Sequence, residues 1–221
     1  MIAAGGTALA AVLAGLVMLT ATRPVLSFLP EPAEPAGKPT YESLARPRFA
    51  VAAGIVSAAA VAGSWSLVSV PSRPAWVVVG TCCVLLALID ASTTWLPLRL
   101  TQASWLLMVL AILLGWSLGG GWQLVLRALA GAAIAGGLYL LVWFVTRGGF
   151  GFGDVRFAPV LGAAAAAYSW QVLIWALTLG TLAGGLQGLV RLAGRRPGAF
   201  PYAPAMLAGA YLAVVVDSLG G

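Results

Sequence analysis

Two aspartates stand isolated in a strongly apolar chain. Asp90 ends the apolar run from Ala75 to Ile89, and Asp154 closes the stretch Gly148-Gly-Phe-Gly-Phe-Gly-Asp154-Val-Arg156. Of the six acids, Glu31, Glu34 and Glu42 sit in a polar loop and Asp217 lies near the C-terminus, so only these two fall inside the hydrophobic body. A carboxylate at membrane depth costs about 2.5–3.5 kcal/mol on insertion scales, which makes it a functional candidate by default. Two carboxyl groups sharing a low-dielectric cleft do not both ionise readily, so one keeps its proton and the pair titrates as a unit. The ionised partner can then act as general base on a water. The protonated one polarises a carbonyl and later helps protonate a leaving amine. That chemistry suits peptide hydrolysis with no metal and no covalent nucleophile. Glycines at 148, 149, 151 and 153 free the backbone to bend and let a substrate chain approach the acid. The residues alone leave other readings open. Each acid could cap a helix or pair with an arginine, Asp154 with Arg156 and Asp90 with Arg99, or both could serve a proton- or ion-coupled transporter.

The elements that must position these acids are membrane spans. The 221 residues are 61% hydrophobic and 8% charged, against about a quarter charged in soluble domains. Several apolar runs reach the roughly 20 residues a spanning helix needs. The expected fold is an all-α polytopic membrane protein of about eight transmembrane helices, one of them short, forming a single domain over 1–221. Expected spans cover 2–20, 49–70, 75–90, 100–118, 122–145, 157–168, 170–192 and 203–218. The first lacks a basic flank before it, so it reads as a retained span rather than a cleaved leader. Residues 21–48 carry six prolines, three glutamates and four basic residues and read as a cytoplasmic loop. Gly119-Gly-Gly121 reads as a tight turn. The alanine-rich piece 157–168 is either a short span wedged between neighbours or a re-entrant segment. Glycines at 180, 184 and 188 form a ridge for close helix packing, and tryptophans 76, 95, 105, 122 and 170 fall where interfacial belts lie.

Charge settles the count. With eight spans and both termini outside, the inner loops hold Arg23, Lys38, Arg46, Arg48, Arg99, Arg147, Arg156, Arg191, Arg195 and Arg196, ten of the twelve basic residues, as the positive-inside rule asks. Asp90 and Asp154 then fall at the same, cytoplasmic, face. The net charge of +6 reports topology, and no nucleic-acid partner is expected. Histidine is absent, which removes His-based metal sites and His bases. Cys82 and Cys83 are adjacent, so they point apart on a helix and read as packing residues. Gly149, Gly151 and Gly153 follow no strand and so make no nucleotide loop.

Three segments, in order, resemble the type IV prepilin peptidases. Gly151-Phe-Gly153-Asp154-Val-Arg156 resembles their GxGD motif. Ile89-Asp90-Ala-Ser-Thr-Thr-Trp-Leu-Pro97-Leu-Arg-Leu-Thr101 resembles the motif of the other aspartate. Phe200-Pro-Tyr-Ala-Pro204-Ala-Met-Leu-Ala-Gly209 resembles the segment that opens their last helix. The resemblance implies that Asp90 and Asp154 are catalytic, that Gly151 and Gly153 admit the substrate, and that Arg156, Pro97 and Pro204 belong with the substrate-binding set. The implied reaction removes the short basic leader of a type IV prepilin or pseudopilin at the cytoplasmic side of a bacterial inner membrane. The partners are thus the precursor and the lipid bilayer. Leu98 and Ala203 depart from the residues common there, Asn or Asp and Gly respectively. Bifunctional members also N-methylate the new terminus and carry two Cys-x-x-Cys pairs that bind zinc. The loop 21–48 has no cysteine, so no zinc and no cofactor are expected, and the resemblance does not carry over the methyltransferase activity.

Overall fold

The computed structural model describes residues 2–31, 39–147, 149–194 and 200–220. Gly148 of the glycine-rich stretch, and Glu34, Lys38, Arg195 and Arg196 of the charge argument, lie outside the described residues. The described chain is helical and holds no strand: α1 Ile2–Phe28, α2 Tyr41–Leu44, α3 Pro47–Trp65, α4 Arg73–Val78, α5 Val84–Thr93, α6 Leu98–Gly115, α7 Gly121–Val145, α8 Phe152–Tyr168, α9 Trp170–Ala193 and α10 Ala203–Gly220. A π-turn over Val79–Cys83 joins α4 to α5, so both run as one element. Six segments among the described residues are long and apolar enough to cross a membrane. One of these, Leu98–Val145, is really two helices: its middle, Trp116–Gly120, turns at Gly119 (φ 98°), and α7 starts at Gly121 (φ 62°). Both values suit glycine and strain other residues, so the three-glycine turn is where the sequence puts it.

The outward faces are apolar. Leu9, Leu13, Ile55, Leu106, Leu126, Ile174 and Leu182 are each more than half exposed. Such a surface is stable only against lipid, and this is a multi-pass membrane protein. Between lipid-bathed helices no hydrophobic force drives association, so close packing by small residues takes over. A methyl on Gly131 of α7 would overlap the carbonyl of Gly162 and the Cβ of Ala166 on α8, and a methyl on Gly162 would meet Gly131 in return. The ridge expected on α9 packs likewise: Gly180 faces Met206, Gly184 the ring of Tyr202 and Gly188 that of Phe200.

At the centre lies α8. Its 17 residues give only about 25 Å at 1.5 Å per residue. Val155, Phe157 and Ala158, Val160 and Leu161, and every residue from 162 to 167 are buried. A helix apolar all round belongs inside a bundle, and the alanine run lets neighbours approach from every side. This is the wedged form of the short segment. It begins at Phe152 rather than Phe157, which moves Asp154 from a loop into the helix's first turn.

Two expectations need correction. The first helix does not stop at residue 20 but continues to Phe28 through Arg23 and Pro24. The extension is held because Thr22 and Leu26 are fully buried and Arg23 Nε donates to the Ala45 carbonyl at 3.3 Å. Trp76 is not interfacial: it is 1% exposed and packs edge-on against Tyr211, ring centroids 5.5 Å apart. Cys82 and Cys83 are both free thiols, and Cys83 is wholly buried among core residues.

Candidate active site

Asp90 lies one turn from the C-terminal end of α5. The helix stops because Thr94 turns left-handed (φ 58°, ψ 25°) and donates its N–H back to the Asp90 carbonyl at 2.7 Å. Left-handed geometry costs a non-glycine residue roughly 1–2 kcal/mol, and local bonds hold it here. Thr93 Oγ1 donates to the Ile89 carbonyl at 2.9 Å and accepts the Trp95 N–H at 3.2 Å. The resulting turn sends Leu96 toward α8 and lets Pro97 open α6 at its N-cap.

Asp154 approaches from the other side. Gly151 is the N-cap of α8, and the Asp154 N–H bonds the Gly151 carbonyl at 3.1 Å. The two motif glycines have different jobs. A Cβ on Gly151 would sit 2.7 Å from Asp154 Oδ2, so the missing side chain is the space the carboxylate occupies. A Cβ on Gly153 would press on Leu96, 3.0 Å from its Cβ, so this glycine lets α8 meet the turn after Asp90. Aromatic rings pin the stretch. Phe150 stacks on Tyr139 at 5.7 Å and meets Tyr202 edge-on at 4.9 Å, while Phe152 meets Trp143 at 5.2 Å.

Both acids are buried, Asp90 3% and Asp154 7% exposed, and both line one cavity of about 400 Å³. Gly151, Gly153, Pro97 and Arg156 line it too, with Leu98, Phe152 and Thr94. Six of the seven residues singled out by sequence therefore meet in one place. The seventh, Pro204, is not among the lining residues. It follows Ala203 at the start of α10, and there the Ala203 N–H donates to Asp90 Oδ2 at 3.0 Å. The third sequence segment thus reaches the site through a backbone amide. Asp154 Oδ1 is buried with no hydrogen-bond partner among the described residues. Arg156 does not cover it: the guanidinium lies 4.6 Å over the Phe152 ring, a cation–π contact, and the Arg156 carbonyl accepts Trp105 Nε1 at 2.8 Å.

The sequence reading missed Pro30, Glu31, Tyr41, Trp95 and Leu96, which also line the cavity. Tyr41 is 3% exposed although it lies in the loop taken as solvated. Burial first, then the charges of Glu31 and Asp90, push its phenol up to about 12. One signal was available, since Tyr41 is the only aromatic residue between positions 29 and 48. Among the described residues no cluster of three metal-ligating side chains occurs.

The cavity thus gathers two buried carboxyl groups and two glycines in one space of about 400 Å³. A search of curated proteins and one of solved structures each found no match. A family model does match, that of the type IV leader peptidase family, over residues 77–189. This match spans just over half of the chain and includes Asp90, the turn after it, and the whole glycine-rich stretch with Asp154. The chain belongs to the type IV leader peptidase family and is a leader-peptidase type of protease.

Proposed function

We propose that the protein is an intramembrane aspartyl endopeptidase that removes the cytoplasmic leader of a type IV prepilin or pseudopilin, using Asp90 and Asp154 to activate water. The observation that carries this reading is the shared cavity of about 400 Å³ in which both carboxyl groups, both motif glycines, Pro97 and Arg156 meet. The precursor's apolar helix would lie in the bilayer and its leader would reach the cavity from the cytoplasm, the side to which the basic loops assign both acids.

In the reaction, the ionised carboxylate takes a proton from water as the water oxygen adds to the scissile carbonyl carbon. The protonated carboxyl group hydrogen-bonds the carbonyl oxygen. Collapse of the tetrahedral species expels the amine, which takes the transferred proton. The Ala203 N–H on Asp90 Oδ2 supports Asp90 as the base, because an N–H can only donate and is strongest toward a carboxylate. Asp154, with an oxygen that no described group satisfies, is then the proton carrier. Gly151 and Gly153 leave room for substrate backbone beside it.

The test is leader removal from a co-expressed prepilin in membranes, read by gel shift, for wild type, Asp90→Asn and Asp154→Asn. The expected result is loss of cleavage with either substitution at unchanged protein level. Cleavage by both variants at the wild-type rate would refute the two-aspartate reading.

A further inference from the structure

Pro30 and Glu31, and with them Tyr41 of α2, line the acid cavity and bring a phenol to it. The Glu31 carboxylate accepts the N–H groups of Tyr41 at 3.0 Å and Glu42 at 2.9 Å, one on each oxygen. Thr40 Oγ1 accepts the Ser43 N–H at 3.2 Å, and Arg23 ties the far side through the Ala45 carbonyl. Three independent anchors hold Tyr41, the one buried side chain among the described residues from 29 to 45. That side chain lines the cavity with Asp90 and Asp154, and its hydroxyl lies within the field of the Glu31 and Asp90 carboxylates. An ordinary apolar plug would be served by phenylalanine. A phenol that keeps its proton until pH about 12 stays a neutral donor in the cavity that it lines together with both aspartates.

We propose that Tyr41 is a further catalytic residue: its hydroxyl donates a hydrogen bond to the scissile carbonyl oxygen as that oxygen becomes an oxyanion. The proposal rests on the peptidase reading above. When the water oxygen adds to the carbonyl carbon, the π pair of the C=O bond moves onto oxygen. The protonated carboxyl group supplies one hydrogen bond there and Tyr41 the second. No proton leaves Tyr41, and when the C–N bond breaks the pair returns to the carbonyl. Donors set in place before the charge develops need no reorganisation at the moment of reaction. The long separation of residue 41 from 90 and 154 explains why no local motif announces it.

The experiment uses the full chain in liposomes with a prepilin and compares wild type, Tyr41→Phe and Asp154→Asn. Loss of one such donor is expected to lower kcat about a hundredfold, with KM within about twofold, an unchanged thermal transition and a pH–rate curve of the same shape. A fluorinated tyrosine at position 41 has nearly the same shape and a more acidic phenol that still donates, so it is expected to keep kcat at neutral pH. Full kcat in Tyr41→Phe beside an inactive Asp154→Asn would overturn the role of Tyr41 and leave the peptidase reading standing. So would a kcat in the fluorinated protein as low as in Tyr41→Phe. Absence of leader removal by wild type would overturn the peptidase reading, and the role of Tyr41 with it.

Discussion

Replacing Gly151 by alanine separates stability from activity at a single methyl group. Gly151 has φ −64°, which alanine adopts without strain. The added Cβ meets one thing only, the Asp154 carboxylate, at 2.7 Å from Oδ2 and 3.8 Å from Cγ. An ordinary contact begins near 3.4 Å, so the carboxylate must move by about 0.7 Å, by rotation of its own side chain. Restricting the unfolded chain adds about 0.4–1 kcal/mol of stability at a compatible glycine, which offsets the cost of that rotation. The folded protein should therefore melt at or slightly above the wild-type temperature. A shift approaching 1 Å in a reacting group costs on the order of 10²-fold in rate, equivalent to about 2.7 kcal/mol of barrier. The assay is leader removal under single-turnover conditions, with a thermal melt of the same sample. Gly185→Ala, where no atom lies within 4 Å of the new methyl, is the control. Wild-type kcat in Gly151→Ala would refute the idea that this glycine exists to make room for the carboxylate. So would a lower melting temperature with proportionate loss of activity.

Further outcomes follow from the same geometry. Ala203→Pro removes the N–H that reaches Asp90 at a first helical position, where proline is tolerated. It should retain the fold, by size-exclusion profile, while kcat drops about tenfold or more, given roughly 1.5–3 kcal/mol for a bond to a charged group. Gly131→Ala drives a methyl into the α8 backbone at Gly162 and the Cβ of Ala166, neither of which can swing aside. It should cost about 1–3 kcal/mol of stability, seen as a lower aggregation temperature in detergent; an unchanged value would mean α7 and α8 are not in backbone contact. The difference between ultraviolet titrations of wild type and Tyr41→Phe should show one phenol ionising near pH 12. Since that phenol holds its proton longer in the folded state than its ordinary value of about 10, the stability it confers is complete below pH 10 and lost as pH rises toward 12.

Much of this was legible from the sequence because the bilayer simplifies it. A lone acid is conspicuous among apolar residues, so Asp90 and Asp154 stood out. Three successive glycines could only be a turn, and they turn between α6 and α7. What was not legible depends on contacts distant in sequence. Arg23 and Pro24 look like the end of a helix, yet Leu26 beyond them is fully buried and α1 continues. Trp76 has the composition of an interfacial residue but meets Tyr211, 135 positions away. Glu31 and Tyr41 sit in a stretch whose polarity is that of a solvated loop, and only the fold brings them to the acids. The glycines of the GxGD stretch were visible, but that Gly151 faces Asp154 and Gly153 faces Leu96 is a matter of side-chain geometry.

The shortness of α8 has a consequence for the lipid. Its 17 residues span about 25 Å, some 5 Å less than a typical hydrocarbon core of about 30 Å, while α7 and α9, at 25 and 24 residues, are long enough to span it fully. A central post shorter than its outer walls cannot match the bilayer at both ends, and Asp154 lies in the first turn of that short helix. The size of that mismatch is set by the host membrane, because a thicker bilayer widens it and a thinner one narrows it. Acyl-chain length thus becomes a control on how deep the first turn of α8 lies below the bilayer surface.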